Sequence, residues 1–292
     1  MPTVGTITGR IALAGAICSG AICAGTAGPA DAAPAKGHVK SYAYGSGTRQ
    51  NLTAYWYTGT GTHPVVLMIH GGYWVEGSRS NWDSEARWWA ARGFTVVAMD
   101  YHYATQARWA TQRSDVLKAL TWIRKHAKTI SANAKKIVLL GSSAGGQLAV
   151  TTGTYGCGGC RVRGVVALSP VANPYSSWQL GHTSSTASRK KLARTAVQLA
   201  GCTPHRSNKP CWNRWVDMAA RYRASANDAP VLLYHSKNDL VPASQSKGLA
   251  SALHAKGVKA TVRVVPGKKH GGAILKMTGV RTRVLSWVRA RT

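Results

Sequence analysis

A serine in a glycine-rich turn is the first residue of this sequence whose setting could support chemistry. Ser143 lies at the centre of residues 141–145 (Gly-Ser-Ser-Ala-Gly), a G-x-S-x-G pattern. The apolar run 137–140 before it is typical of a buried strand, and the small residues after it can begin a helix. Such a sharp turn strains the backbone of its central residue and exposes the hydroxyl. The hydroxyl becomes a nucleophile when a histidine accepts its proton and a carboxylate orients that histidine.

The carboxylate predicted to complete this arrangement is Asp239. In a parallel sheet, functional residues gather outside the carboxyl ends of the strands. Three carboxylates follow the serine. Asp217 lies in a long polar segment, and Asp228 precedes a strand and therefore lies at the wrong end of the sheet. Asp239 lies just past the carboxyl end of the apolar run 231–234, so it lies at the correct end of the sheet.

His270 is the predicted base. It follows the last apolar strand, residues 260–265, in a loop whose glycines would let it reach the serine. The other histidines after the serine are predicted to lie in a helix, in the polar segment or in the packing near the site: His254, His182, His205 and His235. The chain order serine, aspartate, histidine, each at a strand's carboxyl end, is a known order for a nucleophile, an acid and a base.

A second glycine-rich stretch could stabilise negative charge. Residues 70–73 (His-Gly-Gly-Tyr), here the oxyanion loop, follow the apolar run 64–69. Backbone N–H groups aimed at an oxyanion lower the barrier to acyl transfer, each by about 3–4 kcal/mol. We predict donors at Gly72, Tyr73 and, next to the nucleophile, Ala144. The glycine pair alone would also fit an ordinary strand-to-helix turn.

Apolar strands alternate with amphipathic helices along most of the chain, which indicates an α/β fold. We predict a mainly parallel, twisted sheet with helices on both faces. After an antiparallel edge hairpin over 38–57, the predicted strands are 64–69, 94–99, 137–140, 164–168, 231–234 and 260–265. The predicted helices are 82–92, 114–126, 243–256 and 274–289. Residues 170–227, long, polar and Trp-rich, are predicted to form a small helical cap inserted into one domain that spans 33–292.

The charge balance is the unusual feature of the composition. There are 38 Lys and Arg against 9 Asp and Glu, for a formal net charge of +29. A surface of this kind attracts polyanions. Because the basic residues are scattered rather than grouped in long runs, we expect non-specific attraction to acidic polymers and no specific nucleic-acid site. A solvated cationic surface with no binding role would explain the composition equally well.

Residues 1–32 have the pattern of a secretory signal peptide. Arg10 provides a positive charge, and residues 30–32 (Ala-Asp-Ala) provide a cleavage pattern. The apolar stretch 11–25 is short for a membrane span, although a retained anchor is the alternative. We therefore predict a secreted chain that begins near Ala33 and contains no membrane span.

Four cysteines remain beyond that segment, and an even number in an exported chain favours disulfides. Three pairings are open, and we favour Cys157–Cys160 with Cys202–Cys211. The first pair has C-x-x-C spacing, but its glycine-rich setting argues against a thioredoxin-like role. A zinc site is the alternative, although no histidine pattern supports it. We expect no metal and no cofactor.

Together these features resemble the α/β-hydrolase serine esterases and lipases, including hormone-sensitive-lipase-like and feruloyl- or acetyl-esterase-like enzymes. The matching positions are residues 70–72, 77–78, 100–101, Asp115, 141–146, Asp239 and His270. The resemblance implies that Asp100 and Asp115 are structural rather than catalytic. Tyr73 replaces the third glycine of the lipase-like loop, and the run His-Gly-Gly-Tyr-Trp is similar to that of kynurenine formamidases.

The resemblance implies a secreted serine carboxylesterase that needs no cofactor. Its substrates would be small-molecule or polymer-linked acyl esters, hydrolysed through an acyl-enzyme on Ser143. An arylformamidase or other amidase with the same three residues is the alternative, and export favours the ester. A non-catalytic polyanion-binding protein on the same fold is a third hypothesis, suggested by the net charge of +29.

Overall fold

The computed structural model describes residues 36–59 and 61–292. The predicted signal peptide, residues 1–32, lies outside the described residues and stays a prediction. Among the helices of those two described ranges, none is both long and apolar enough to cross a bilayer.

One sheet of eight strands organises the described part of the chain. The strands are β1 (Gly37–Ala43), β2 (Asn51–Tyr57), β3 (His63–Ile69), β4 (Thr95–Met99), β5 (Ala132–Ser142), β6 (Gly164–Leu168), β7 (Val231–Ser236) and β8 (Ala260–Val265). Their spatial order is β1-β2-β4-β3-β5-β6-β7-β8. The hairpin β1–β2 lies antiparallel at one edge, and the other six strands are parallel. The predicted mainly parallel sheet is confirmed.

Helices cover both faces of this sheet, as predicted. They are α1 (Asp83–Ala90), α2 (Thr111–Lys125), α3 (Ala144–Gly153), α4 (Gly158–Arg161), α5 (Pro174–Thr183), α6 (Ala187–Ala200), α7 (Lys209–Asp217), α8 (Ser244–His254) and α9 (Val280–Arg289). Successive side chains of a strand point to opposite faces. Leu67 of β3 therefore belongs to the same buried cluster as Leu120 of α2, whereas Met68 belongs to a second cluster with Trp89 of α1 and Val284 of α9.

Two predicted helices begin differently in the structure. The one predicted over 82–92 starts as a 3₁₀ turn, Arg79–Trp82, that leads into α1. The one predicted over 274–289 is wrong in its first part, which is a 3₁₀ turn at Gly271–Lys276 followed by a break. Gly279 has φ of 70°, which a right-handed helix does not accept, and so α9 starts only after it.

Residues 170–227, here the cap segment, hold three of these helices and a 3₁₀ turn at Ala220–Arg223. Asn173 caps α5 by accepting a hydrogen bond from the N–H of Ser176, and Asn208 caps α7 in the same way. The segment carries its own aromatic cluster: Tyr175, Trp178, Trp212 and Trp215. Its role as a cap over the site stays a prediction.

The cysteines beyond residue 32 form the two favoured pairs. Disulfides join Cys157 to Cys160 and Cys202 to Cys211. The second connects the region just after α6 to the first turn of α7, within the cap segment. Because all four sulfurs are engaged in disulfides, none is left as a thiolate ligand for the alternative zinc site.

Candidate active site

Ser143 occupies the sharp turn between β5 and α3. Its φ of 52° and ψ of −114° place a non-glycine residue in a region that costs about 1–3 kcal/mol. The surroundings hold it there, since its N–H donates to the Leu168 carbonyl at 2.8 Å. A Cβ at Gly145 would lie 2.3 Å from the carbonyl oxygens of Ile69 and His70. Only glycine at that position lets α3 approach β3 so closely.

The structure brings the three residues of the predicted triad into one hydrogen-bonded chain. His270 Nε2 lies 2.8 Å from Ser143 Oγ, and His270 Nδ1 lies 2.5 Å from Asp239 Oδ1. Because a carboxylate only accepts, Nδ1 donates to Asp239 and leaves the lone pair of Nε2 facing the serine hydroxyl. This geometry allows the hydroxyl proton to pass to His270.

Asp239 is buried, yet it is held in the charged form. Its carboxylate accepts hydrogen bonds from Ser169 Oγ at 2.5 Å and from the N–H of Val241 at 3.1 Å. Burial raises the pKa of this carboxyl, but hydrogen bonds from His235, His270 and Ser169 outweigh that effect and hold the pKa well below its ordinary value of 3.8. The acid can therefore stabilise a positively charged imidazole.

His235 packs against this carboxylate, in the position that the sequence predicted for it. It is fully buried, and its Nδ1 donates to the Val241 carbonyl at 3.0 Å while Nε2 accepts from Ser246 Oγ at 2.7 Å. Its Nδ1 also lies 3.5 Å from Asp239 Oδ2. Both ring nitrogens are thus occupied, which leaves His270 as the histidine free to accept a proton from Ser143.

The oxyanion loop lies directly beside the nucleophile. A Cβ at Gly71 would come 3.2 Å from Ser143 Cβ. Gly72 and Tyr73 have φ of 118° and 52°, so the backbone turns sharply here. Within the described ranges, their N–H groups donate to no protein acceptor. Ala144 is the first residue of α3, and its N–H has no acceptor within the helix. That these three groups form the oxyanion hole stays a prediction.

The buried ring of His70 stabilises the oxyanion loop. Its Nδ1 donates to the Gly71 carbonyl at 2.6 Å, and its ring stacks on Tyr101 with centroids 4.4 Å apart. The Tyr101 hydroxyl in turn donates to the His70 carbonyl at 3.0 Å. Burial lowers the pKa of His70 to about 4, so the ring is neutral near pH 7. A neutral, well-packed ring therefore sets the shape of the loop.

Two further buried acids support the fold around the site. Asp100 accepts from the N–H of Arg79 at 2.7 Å and pairs with its guanidinium, and Asp115 accepts from Gln50 Nε2 at 2.8 Å. These contacts agree with the structural role that the resemblance implied. Nowhere in residues 36–59 and 61–292 do three or more His, Cys, Asp or Glu side chains form a group that could hold a metal ion.

A cavity of about 490 Å³ opens beside the triad. Its walls include Gly71, Ser142 and Gly272, together with the apolar side chains of Trp82 and Leu275. Polar side chains also contribute to the lining: His70, Glu76, Asn81, Ser84, Glu85 and Lys276. The mixture suits a substrate that has both apolar and polar parts.

Sequence reasoning missed two contacts at this site. Lys191 of α6 places its Nζ 2.9 Å from Glu76 Oε2 and 4.6 Å from the centroid of the Tyr73 ring, and so joins the cap segment to the oxyanion loop. Ser169 bonds to Asp239. Ser169 directly follows β6, so the strand-end rule that selected Asp239 could also have selected this serine. No sequence signal indicated Lys191.

The fold and the site define the chain as an α/β-hydrolase. Ser143 follows β5, Asp239 follows β7 and His270 follows β8, in the order that this fold requires. The family model described as BD-FAE matches residues 55–253, which is more than half of the chain. The chain belongs to that family.

Similar proteins are named as esterases. LipM of Mycobacterium tuberculosis, named a probable carboxylic ester hydrolase, is 27% identical over 232 residues, covering 74% of this chain and 52% of LipM. The chain thus spans about half the length of this relative. A probable isoprenylcysteine alpha-carbonyl methylesterase of Oryza sativa subsp. japonica is 24% identical, covering 84% of this chain and 60% of that protein. These relatives bear out the resemblance to esterases and lipases.

Solved structures show the same fold. Esterase B of Lactobacillus rhamnosis superposes with a TM-score of 0.72 at 20% identity, covering 87% of this chain and 84% of that chain. A truncated carbohydrate esterase from gut microbiota gives 0.70 at 19% identity, covering 91% and 99%. The predicted α/β-hydrolase fold is confirmed.

Proposed function

We propose that this chain is a serine carboxylesterase that hydrolyses small-molecule or polymer-linked acyl esters. The observation that carries the proposal is the hydrogen-bonded chain from Ser143 through His270 to Asp239, with the serine hydroxyl 2.8 Å from the histidine. Relatives named as ester hydrolases support the choice of reaction.

In the first half-reaction Ser143 Oγ attacks the ester carbonyl carbon while its proton passes to His270 Nε2. The charged Asp239 stabilises the resulting imidazolium. Negative charge that develops on the carbonyl oxygen is met by the backbone N–H groups of Gly72, Tyr73 and Ala144. The bond to the alcohol then breaks, and the leaving oxygen takes the proton from His270.

In the second half-reaction water replaces the alcohol. His270 Nε2 accepts a proton from the water as its oxygen attacks the acyl carbonyl, and the same donors stabilise the new oxyanion. Collapse of this intermediate releases the carboxylic acid and returns the proton to Ser143 Oγ. The triad then has its starting protonation.

A fluorophosphonate probe tests the assignment of the nucleophile. The wild-type protein should be labelled, and Ser143→Ala should not be, because the probe reacts only with an activated serine. Ser177→Ala is a control, since it removes a serine hydroxyl that is buried and bonded to Gln245 rather than to His270. Labelling that persists in Ser143→Ala would overturn the assignment. A wild type that is never labelled would favour a non-catalytic, polyanion-binding protein.

The residue at position 73 supports the alternative function, an amidase. It stands where lipase-like loops have a third glycine, and it holds a left-handed φ of 52° there. Comparing kcat/KM for p-nitrophenyl acetate and N-formylkynurenine separates the two reactions. A clear preference for N-formylkynurenine would replace the esterase proposal with an arylformamidase.

We also infer that the chain is exported. The support is the signal-peptide pattern of residues 1–32 together with the two disulfides, which persist in oxidising compartments. Expression of the whole chain in a secreting bacterial host should release a protein whose N-terminal sequence begins near Ala33. A protein that stays in the cell with its first residues intact would contradict export.

The positive charge suggests attraction to acidic polymers. Of the nine acidic residues, all but Asp31 lie in the described ranges, and each of these contacts a cation or a hydrogen-bond donor. Few carboxylates are therefore left to balance the basic side chains at the surface. We infer that the enzyme is held near anionic, ester-bearing polymers, without sequence-specific binding to nucleic acid.

A further inference from the structure

Three neighbouring strands of the sheet each have a serine at their carboxyl end or directly after it. Ser142 is the last residue of β5, Ser169 directly follows β6, and Ser236 is the last residue of β7. Parallel neighbours end at the same edge of a sheet, so these three side chains form a row beside the triad. Their relative exposures are 9%, 0% and 1%. Hydroxyls buried to this degree need hydrogen-bond partners.

All three find those partners in one short segment, residues 268–272, here the histidine loop. The bonds run from Ser236 Oγ to the Lys269 carbonyl (2.5 Å), from the Gly271 N–H to Ser169 Oγ (2.9 Å) and from the Gly272 N–H to Ser142 Oγ (2.9 Å). These backbone groups lie on both sides of His270. The three serines therefore hold the loop before and after the residue that the reaction uses.

The histidine loop has little other support from the backbone. Asn238 donates its N–H to the Gly267 carbonyl, just before the loop. Within the described chain, residues 268–270 take part in no hydrogen bond between two backbone groups. Serine hydroxyls therefore supply much of the anchorage of this loop, although Gly271 and Gly272 also begin the 3₁₀ turn Gly271–Lys276.

Ser169 has two roles in this row. Its hydroxyl donates a hydrogen bond to Asp239 Oδ2 at 2.5 Å, and the same oxygen accepts one from the Gly271 N–H. One oxygen thus links the acid of the triad to the loop that carries the base. Its backbone has φ of 48°, which is the left-handed region, and its N–H donates to the Tyr234 carbonyl at 2.7 Å.

We propose that Ser142, Ser169 and Ser236 are positioning residues that fix His270 between Ser143 and Asp239. The inference rests on the proposed function, in which His270 Nε2 exchanges protons with the serine, the leaving alcohol and water. A misplacement of about 1 Å in such a group can lower a rate about 100-fold. The three serines touch no reacting atom. All three act through the histidine loop, and Ser169 acts through Asp239 as well.

Ser169→Gly is the central test. Glycine accepts a φ of 48° without strain, so the fold should persist, while both hydrogen bonds of the hydroxyl are lost. We expect kcat on p-nitrophenyl acetate to fall roughly 10- to 100-fold with KM within about twofold, because the loss concerns orientation rather than binding. Circular dichroism and thermal unfolding check the fold.

Two companion variants separate positioning from stability. Ser169→Thr keeps the hydroxyl but places a β-branched residue at a positive φ, so it should melt at a lower temperature and yet retain most of kcat. Ser177→Ala removes a buried hydroxyl that accepts a hydrogen bond from Gln245 Nε2 at 2.8 Å and that, among the described residues, has no hydrogen bond to the histidine loop. It should lower the melting temperature and leave kcat unchanged.

Amide hydrogen exchange gives a readout that does not depend on activity. In protein labelled with ¹⁵N-glycine, Ser169→Ala should speed the exchange of the Gly271 N–H, and Ser142→Ala that of the Gly272 N–H, each by about tenfold or more as protection is lost. Each variant should leave amides outside the loop unchanged.

The outcomes are distinct. Wild-type kcat in Ser169→Gly, or an equal loss of kcat in Ser169→Gly and Ser169→Thr, would overturn the proposal. If the wild type hydrolyses no ester, the proposed function fails, and the exchange rates alone decide whether the serines hold the loop. Unchanged exchange of both glycines would then refute their positioning role.

Discussion

At the scale of single residues, the site depends on a buried carboxylate that remains charged. Asp239 accepts hydrogen bonds from His270 Nδ1, from Ser169 Oγ and from the backbone N–H of Val241. A charge in this setting is stable only while its partners stay in place. The same donors that stabilise Asp239 also fix which of its oxygens faces His270.

Asp239→Asn tests the role of this charge, because it removes the negative charge and keeps the shape of the side chain. An amide can donate to His270 Nδ1, which would place the ring proton on Nε2, where it cannot accept from Ser143. We expect kcat to fall by about 10³–10⁴-fold, the size seen when a triad acid is replaced in this way. Asp228→Asn is the control and should keep kcat within a few-fold, because this second buried acid is bonded to Ser225 and not to any member of the triad. A similar loss in both variants would contradict the role of Asp239.

His70 predicts a dependence of stability on pH. Burial lowers its pKa in the folded protein from 6.5 to about 4. Between these pH values the unfolded chain binds a proton at this residue and the folded chain does not, so stability falls as the pH drops. The loss from this residue should reach up to about 3 kcal/mol near pH 4.

Urea unfolding at pH 7 and at pH 5 measures this effect. His70→Asn keeps a donor for the Gly71 carbonyl but cannot titrate, so its stability should change less between the two pH values than that of the wild type. His205→Asn, at an exposed position in the cap segment, controls for the loss of any histidine. Equal changes in His70→Asn and the wild type would remove His70 as the cause.

The triad could be predicted from sequence because its members follow strands. Asp239 follows the unbroken apolar run 231–234, and His270 follows residues 260–265, which are apolar apart from Thr261 and Arg263. The same rule could place Ser169 at this edge of the sheet, but it does not predict the serine row. Ser169 and Ser236 also end strands, but serine is frequent and carries no periodic signal, and only the folded sheet shows that both face the same loop.

At the scale of elements, the cap segment and the oxyanion loop are connected through one lysine. Lys191 of α6 pairs with Glu76 and lies over the ring of Tyr73. Both partners of the ion pair are partly exposed, and such pairs contribute at most about 1 kcal/mol. The contact therefore adjusts the position of the loop and does not determine the fold.

Lys191→Gln should lower kcat/KM on p-nitrophenyl acetate by at most about fivefold, with a larger effect at low salt than at high salt. The reason is that the oxyanion loop loses one of its attachments to the cap segment. Lys190→Gln is the matched control. Lys190 is the exposed residue next to Lys191, and it contacts neither Glu76 nor the Tyr73 ring. Equal effects of the two variants, or an effect that salt does not change, would refute the connection.

The elements also show where periodicity misleads. Residues 274–289 look like one helix because apolar residues recur at helical spacing on both sides of Gly279. Its left-handed backbone divides the stretch into a 3₁₀ turn and α9. In the cap segment, basic and aromatic residues are mixed so closely that the separate helices α5, α6 and α7 were not distinguished.

At the scale of the whole molecule, the negative and positive charges lie in different places. Most described carboxylates are tied into ion pairs or hydrogen bonds that support the fold, as Asp100 and Asp217 show. Many of the basic side chains are exposed, including Lys128, Lys135 and Lys209. The long-range field is therefore positive, and salt will screen it over about 10 Å at moderate ionic strength.

Binding to polygalacturonate beads should show this field. We expect the protein to be retained at low salt and released as salt rises, and to pass through beads of neutral cellulose. A charge-reduced variant replaces five exposed lysines by glutamine: Lys128, Lys135, Lys136, Lys190 and Lys209. This variant should elute at lower salt, and its kcat on p-nitrophenyl acetate should be unchanged. Equal retention of the two proteins would count against a role for the surface charge.

The spacing of the triad along the chain has a consequence for biosynthesis. Ser143 and His270 are separated by 127 residues, and the histidine loop is attached to strands that must already be paired. A nascent chain that has emerged through β6 carries its reactive hydroxyl without any base to activate it. On the proposed function, hydrolytic capacity arises only after the chain through His270 has been made, so esters met during synthesis would be left intact.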